Sequence, residues 1–371
     1  MKNLITRISL CVALIFSACG FATAQDEVFQ AVETERIPGI LRSISKQTKG
    51  NFERIHTWQG ELVRSMYFVD KGDMAKETFE TLTDGNGLCP NEVVEITENR
   101  IIFKCDLEKE LLYVKRSREA PSSYIDPATN KDLGTRSLPS SSSEIITNEY
   151  RYNAQPSAYR NDKVVQRKGV KTKIDGPLYA GRQPNYLPSY IFDIDSQVWE
   201  RYPDYAKILE EKGEYVFFGL AMKAEQRTLS GDLQYRIHEP FYMNAFNIKG
   251  WLINTYSKKA GFNIIDSERI TDDGKLMLRK STEYQKVNGV YVPTRDTEDT
   301  YDYNRDFSLK IHEEGVFKNI FINNAIPEET FIYKNLGLKD GDTFVDKIAA
   351  KEYKVEDDNL VFVSDLPDKS K

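Results

Sequence analysis

Asp296, Glu298 and Asp302 fall on one parity of a strand-like run from Val290 to Tyr303, with Asp299 on the other parity. Two carboxylates that converge on a cleft can divide acid and base work, as in a hydrolase. Like charges along one strand face more commonly mark the solvated side, and that structural reading is favoured. Asp193-Ile194-Asp195 offers a second acidic pair, suited to a cation or to a turn that caps a helix, with the cap favoured. The chain has three histidines, His56, His238 and His312, none in a His-Glu-x-x-His pattern. His312-Glu313-Glu314 would need distant partners to hold a metal, so it reads as a polar cluster near a strand end. His56 shares a strand parity with Trp58 and reads as a packed or hydrogen-bonded imidazole. Gly-x-Ser-x-Gly is absent, and Gly85-Asn86-Gly87 runs on to Pro90 where a dinucleotide loop needs its third glycine. These residues assign no catalytic group, no metal and no cofactor, and the chain reads as a non-enzymatic protein.

The amino terminus supplies an address. Lys2 and Arg7 precede a short apolar run from Ile8 to Phe16, and Ala22-Thr23-Ala24 presents small residues ahead of Gln25. That pattern predicts a signal peptide over residues 1–24 and a periplasmic or extracellular protein. Ser17-Ala18-Cys19-Gly20 is a looser match to a lipoprotein-processing site, which would anchor the chain to a membrane through Cys19. Losing Lys2 and Arg7 with the leader takes the formal charge from −6 to −8, a poor balance for nucleic acid. No later segment is apolar enough to span a bilayer as a helix.

Beyond the leader lie Cys89 and Cys105. They flank Val93–Ile96 and Ile101–Phe103, joined by Thr97-Glu98-Asn99-Arg100, and a hairpin there would bring the two thiols together. A disulfide closing such a loop would stabilise by about 3 kcal/mol.

The elements that must position these residues are mainly strands. With 21 Tyr and 19 Phe, the composition favours pleated, half-buried surfaces. Ile37, Ile40, Leu41 and Ile44 mark one face of a helix, with Pro38 in its first turn. Ile55 to Val69 reads as one long strand, suited to a large curved sheet. Residues 70–86 read as a short helix, and 117–145, rich in Pro and Ser, as a mobile surface loop within an insertion near 117–190. Asp195-Ser196 caps a helix running to about Glu211, with Tyr205, Ile208 and Leu209 as its buried stripe. Tyr215 to Ala224 reads as a dense strand. Phe262–Ile270, Lys275–Gln285 and Val290–Tyr303 follow as a meander, turned by Asp273-Gly274 and Asn288-Gly289.

The carboxyl-terminal third adds motifs. Phe317 to Ile322 leads into Asn324-Ala325-Ile326-Pro327-Glu328-Glu329-Thr330-Phe331, and Lys339-Asp340-Gly341-Asp342-Thr343-Phe344-Val345-Asp346 follows. Lys286-Val287-Asn288-Gly289-Val290-Tyr291-Val292-Pro293 precedes an outgoing strand. With the leader, the first helix and the long strand bearing Trp58, this resembles the LolA/LolB lipoprotein-carrier superfamily over residues 36–350. The chain is much longer than a typical carrier. The resemblance implies an unclosed antiparallel half-barrel packed on helices, with a concave face that takes acyl chains.

The expected organisation is a leader over 1–24, one half-barrel domain over 25–350 and a tail over 351–371, partly strand. The expected function is an exported binding protein of the cell envelope that holds a lipid, acyl chain or other apolar ligand. Val216, Phe218, Leu220 and Met222, with Leu276 and Leu278, are the expected lining, and the alternate parity of the same strands stays open. A cargo-free envelope interaction module is the alternative, and a hydrolase built on Asp296–Asp302 is a third.

Overall fold

The computed structural model describes residues 28–69, 93–125, 132–147, 149–160, 163–173, 198–302, 307 and 309–367. In chain order they begin with β1 (Gln30–Ala31), α1 (Ile37–Phe52), β2 (Thr57–Val69), β3 (Val93–Asp106) and β4 (Leu111–Ile125). Next come β5 (Asp132–Ile146), β6 (Tyr150–Arg160), β7 (Lys163–Lys173), α2 (Val198–Lys212), β8 (Val216–Phe217) and β9 (Leu220–Ala221). A meander follows, of β10 (Lys223–Leu229), β11 (Asp232–Met243), β12 (Ile248–Ser257), β13 (Asn263–Thr271), β14 (Leu276–Val287) and β15 (Val290–Tyr301). The last strands are β16 (Leu309–Ile322), β17 (Thr343–Asp346), β18 (Lys351–Glu356) and β19 (Asn359–Asp365). The fold is mainly β with a few helices, and its large, mostly antiparallel sheet is not closed into a barrel. The chain forms two compact units, one from residues 1–51, 197–284 and 301–307, the other from 52–196, 285–300 and 308–371.

In the first unit β1 and β10 to β14 pair in succession, every neighbour antiparallel. Register shifts at Thr255/Tyr256 and Arg269/Ile270 bend the strands, which is how a sheet acquires curvature. The turns carry the expected chemistry: Gly274 and the Asn288-Gly289 pair take positive φ, which Gly and Asn tolerate best. Helix α1 buries Ile37, Ile40, Leu41 and Ile44, as its spacing predicts. Helix α2 contains Pro203, which has no N–H to give to the carbonyl of Trp199 four residues back. Ser45 Oγ on α1 donates to that carbonyl instead, at 3.1 Å. A second tie runs from Thr48 Oγ1 to the Phe262 carbonyl at 2.9 Å. The buried stripe of α2 is Val198, Trp199, Tyr202, Ala206 and Leu209. Tyr205 and Ile208, expected in it, are half-buried, so the inward face is rotated from the one the local pattern suggests.

In the second unit the strand order is β16-β2-β3-β4-β5-β6-β7-β17-β18-β19. All these pairs are antiparallel except β7–β17. Trp58 and Leu62 on the long strand β2 are buried, and Trp58 meets Phe103 edge-on with centroids 6.1 Å apart. After β16 the chain turns at Ile326-Pro327 and lays two short 3-10 turns, Glu328–Phe331 and Tyr333–Leu336, over β4 to β6. Ile326, Phe331, Leu336 and Phe344 there close on Ile145 and Ala154 as one apolar cluster. Gly169 makes room for it: a Cβ at that position would lie 2.7 Å from Phe344 Cδ2.

Two stretches differ from the sequence expectation. Residues 93–106 are one continuous strand rather than a hairpin, with Thr97 and Asn99 paired to Met66 and Arg64 of β2. The polar quartet 97–100 is strand alternation, not a turn. Cys105 is therefore a buried, free thiol on β3, and burial pushes its pKa up. Cys89 lies outside the described residues, and the hairpin that would carry it to Cys105 does not form. The Ser- and Pro-rich stretch read as a loop contributes to β4 and β5, with Ser141 opposite Ser117 and Ser143 opposite Lys115. Ser143 is buried there and Ser141 half-buried, so small polar side chains in that stretch are strand residues rather than a loop. The expected helix over 70–86 and the cap at Asp195-Ser196 lie outside the described residues.

Candidate functional site

The expected lining residues lie in the first unit, just past α2. Gly213, at φ +74°, closes that helix by donating its N–H to the Leu209 carbonyl. The next apolar run does not continue as a strand. Phe218 and Gly219 both take positive φ, and β8 folds back on β9 with Val216 opposite Ala221 and Phe217 opposite Leu220. A run apolar on both faces carries no period, so nothing in it distinguishes one buried strand from a two-residue hairpin; Gly219 decides. The single face expected for Val216, Phe218, Leu220 and Met222 is thereby divided.

Val216, Phe217 and Phe218 stand at the hairpin tip, 47%, 40% and 53% exposed. Phe218 stacks on Tyr242 of β11 with centroids 3.9 Å apart, and Phe217 meets Phe218 edge-on at 4.7 Å. Phe246, in the turn after β11, is 44% exposed. Leu220 is half-buried, while Met222 is buried. Leu276 and Leu278 lie on β14, three strands along from β11, both half-buried and flanking the buried Met277. The structure thus groups Val216 and Phe218, adds Phe217, and places the two leucines elsewhere on the sheet.

Beneath α2 lies a polar centre that sequence reasoning missed. Tyr202 donates its hydroxyl to Glu239 Oε1 at 2.9 Å. Its oxygen lies 2.6 Å from the Tyr256 hydroxyl, so Tyr256 is the donor of that bond. Asn254 Nδ2 reaches the same Glu239 oxygen at 3.4 Å, and Arg201 lies 3.5 Å from the other. Tyr202 and Tyr256 are fully buried, and Glu239 and Asn254 nearly so. Burial, then the Glu239 charge, holds the Tyr202 hydroxyl well above the usual tyrosine range. The Tyr202 phenol is therefore a neutral donor, and its bonds fix the helix to the sheet. The only local signal was Glu239 within an otherwise strand-like run; its partners come from 37 residues before and 17 after.

Asp296 and Asp299, both in the second unit, take separate partners. Asp296 is buried rather than solvated, with Oδ2 2.9 Å from Arg64, and Arg64 also lies 3.7 Å from Glu313. Gly315 makes this possible, since a Cβ there would fall 1.8 Å from Asp296 Oδ1. Asp299, on the opposite parity, sits 2.6 Å from His312 Nδ1, and Glu314 lies 3.4 Å from His312 Nε2. The Asp299 hydrogen bond raises the His312 pKa against a smaller lowering by burial. Glu298 and Asp302 are half-buried. His56 is a hydrogen-bonded imidazole, half-exposed with its ring 2.7 Å from Glu108. Asp193 and Asp195 lie outside the described residues.

Known structures with a likeness to this chain share little sequence with it. A DUF1329 family protein from Desulfovibrio piger is 7% identical with a TM-score of 0.33, covering 80% of this chain and 98% of its own. The LolA superfamily protein NE2245 from Nitrosomonas europaea is 9% identical with a TM-score of 0.34, at 80% and 99%. An outer membrane lipoprotein-sorting protein domain from Vibrio parahaemolyticus is 7% identical with a TM-score of 0.32, at 79% and 97%. No family model matches the chain, and no curated protein does.

Proposed function

We propose that this chain is an exported, non-enzymatic binding protein of the cell envelope that holds a lipid, acyl chain or other apolar ligand. The supporting observation is the aromatic hairpin. Val216, Phe217 and Phe218 face water together, although each would gain by burial, and grouped exposed apolar side chains mark a contact surface. The motifs shared with lipoprotein carriers point to the same class of ligand. Each acyl CH₂ covered there would contribute about 0.8 kcal/mol. Leu220 and Met222, deeper in the same hairpin, would extend the contact, with Leu276 and Leu278 as further lining on β14. The hairpin follows α2 after three residues, and Tyr215 packs on Tyr205 of that helix with centroids 4.5 Å apart. Movement of α2 would therefore carry the hairpin with it and gate entry.

The test is uptake of a fluorescent fatty acid by purified protein, with native mass spectrometry for co-purifying lipid. Uptake is expected, reduced by Phe217→Ser with Phe218→Ser while the unfolding temperature holds. No bound lipid and no uptake would overturn the reading. The mature amino terminus adds a check on its cellular form: Gln25 marks a soluble binder and a modified Cys19 an anchored one.

A further inference from the structure

The sheet face that meets the aromatic hairpin turns basic a few residues away. Tyr242, on which Phe218 stacks, shares a face of β11 with Pro240, His238 and Arg236, because strand side chains alternate. On β12, Trp251 stands opposite Pro240 and Ile253 opposite His238. On β10, Lys223 stands opposite His238 and Glu225 opposite Arg236. Trp251 Nε1 donates to the Ala221 carbonyl of the hairpin at 3.5 Å, and Lys223 Nζ lies 5.6 Å from the Trp251 ring centroid. Arg236 and His238 share one carboxylate: Glu225 Oε2 is 3.8 Å from Arg236 Nη1 and 3.5 Å from His238 Nε2. Both distances are too long for a strong hydrogen bond. Among the described residues, Arg236 Nε and His238 Nε2 are buried and make no hydrogen bond at all. Buried polar nitrogens are nearly always bonded, so two on one patch call for an oxygen that the chain itself does not bring. Solvent reaches the patch, since Lys223 is exposed and the Arg236 side chain is 35% exposed.

We propose that Arg236, His238 and Lys223 form a headgroup site for an anion, a carboxylate or phosphate, carried by the same ligand whose apolar chain lies over Trp251, Tyr242 and the hairpin. The inference rests on the binding role proposed above and narrows its ligand to an anionic amphiphile. One head oxygen set between Arg236 Nε and His238 Nε2 would take a bond from each, as charge-assisted donors favour. Lys223 adds its charge beside them. His238 and Tyr242 are four residues apart on one strand, about 14 Å, so one amphiphile reaches from the basic patch to the aromatic hairpin. Burial lowers the His238 pKa, Glu225 opposes that, and Arg236 and Lys223 add to it. An anion held there would offset the two cations and favour the protonated ring.

Calorimetric titration of the mature chain at neutral pH with decanoate, decanol and acetate tests this. Decanoate should bind at least about tenfold tighter than decanol, and acetate should not compete with it. Lys223→Gln with Arg236→Gln should bring the ratio of decanoate to decanol affinity toward one. Lys223→Gln alone, at an exposed residue that the fold does not need, should lower the ratio in part. Nuclear magnetic resonance of the imidazole protons adds a readout that a structural role would not move: decanoate should raise the His238 pKa. The charged groups that face this ring among the described residues are Lys223 and Glu225 from β10 and Arg236 on β11, with the uncharged Ile253 on β12. Decanol binding as tightly as decanoate would overturn the headgroup site and leave the apolar reading standing. Binding of neither would overturn both. Displacement of decanoate by acetate, a ratio unmoved by the double variant, or an unchanged His238 titration would each overturn the proposal.

Discussion

Helix α2 and the segment from Ile326 to Leu338 both cover strands, each in its own unit, and they hold by different chemistry. Under α2 the centre is polar: two phenols, a carboxylate, an amide and a guanidinium within hydrogen-bonding or ion-pair reach. Under the 326–338 segment it is apolar, with Phe344 wedged against Gly169 and closed by Phe331 and Leu336. A packed apolar cluster holds its cover through many weak contacts, and a polar centre holds it through a few directional bonds. The polar centre sits under the helix that leads into the aromatic hairpin. The apolar one sits under a segment that the chain must keep closed to add β17.

The largest expected effect falls on the apolar side. Phe344→Ala should destabilise the second unit by roughly 3–5 kcal/mol, because the cavity forms among side chains that cannot collapse into it. Urea unfolding followed by tyrosine fluorescence measures this. A loss below about 1 kcal/mol would mean that the segment is not held by its cluster. Glu239→Gln, which keeps the shape but turns one acceptor toward Arg201 into a donor, should cost about 1–3 kcal/mol. Tyr256→Phe should cost about 1 kcal/mol alone and less in the Glu239→Gln background, since both act on the Tyr202 hydroxyl. Strict additivity in that double-mutant cycle would show that the polar centre is not a unit, and the contrast with the apolar cluster would fall.

Legibility in the sequence followed the same divide. Elements with a clean period were readable: the 37–44 stripe of α1, the long strand bearing Trp58, and the meander turned by Asp273-Gly274 and Asn288-Gly289. Where the pattern was two-sided or polar, reading failed. Tyr215–Ala224 has apolar residues on both faces, and only the positive φ at Phe218 and Gly219 shows that it doubles back. Thr97–Arg100 and Ser140–Ser143 look like turn or loop by composition, yet pair in register within strands. The site divided likewise. Val216 and Phe218 were reachable as surplus apolar surface, whereas the Tyr202–Glu239–Tyr256 centre depends on contacts between distant residues that no local spacing encodes.

The smallest effect is also the sharpest comparison, because each unit holds one half-buried histidine and the two respond to pH in opposite directions. His312 has the carboxylates of Asp299 and Glu314 as its acceptors, with Arg295 beyond Glu314, and the Asp299 bond raises its pKa above the ordinary value near 6.5. The folded form therefore holds the proton more tightly than the unfolded chain. Its contribution to stability is complete below the unfolded pKa and is lost as pH rises through the higher folded value. His238 is in the reverse position. Burial is the main cause of its lowered pKa, aided by Arg236 and Lys223 and opposed by Glu225. The unfolded chain binds that proton first, so stability falls as pH drops from the unfolded value toward the folded one. Relative to wild type, His312→Gln should be most destabilised at acid pH, with the difference shrinking as pH rises. His238→Gln should differ least above neutrality and gain on wild type as pH falls. Urea midpoints between about pH 5 and 8 read both slopes, and slopes of the same sign would show that the two histidines do not sit in opposite environments.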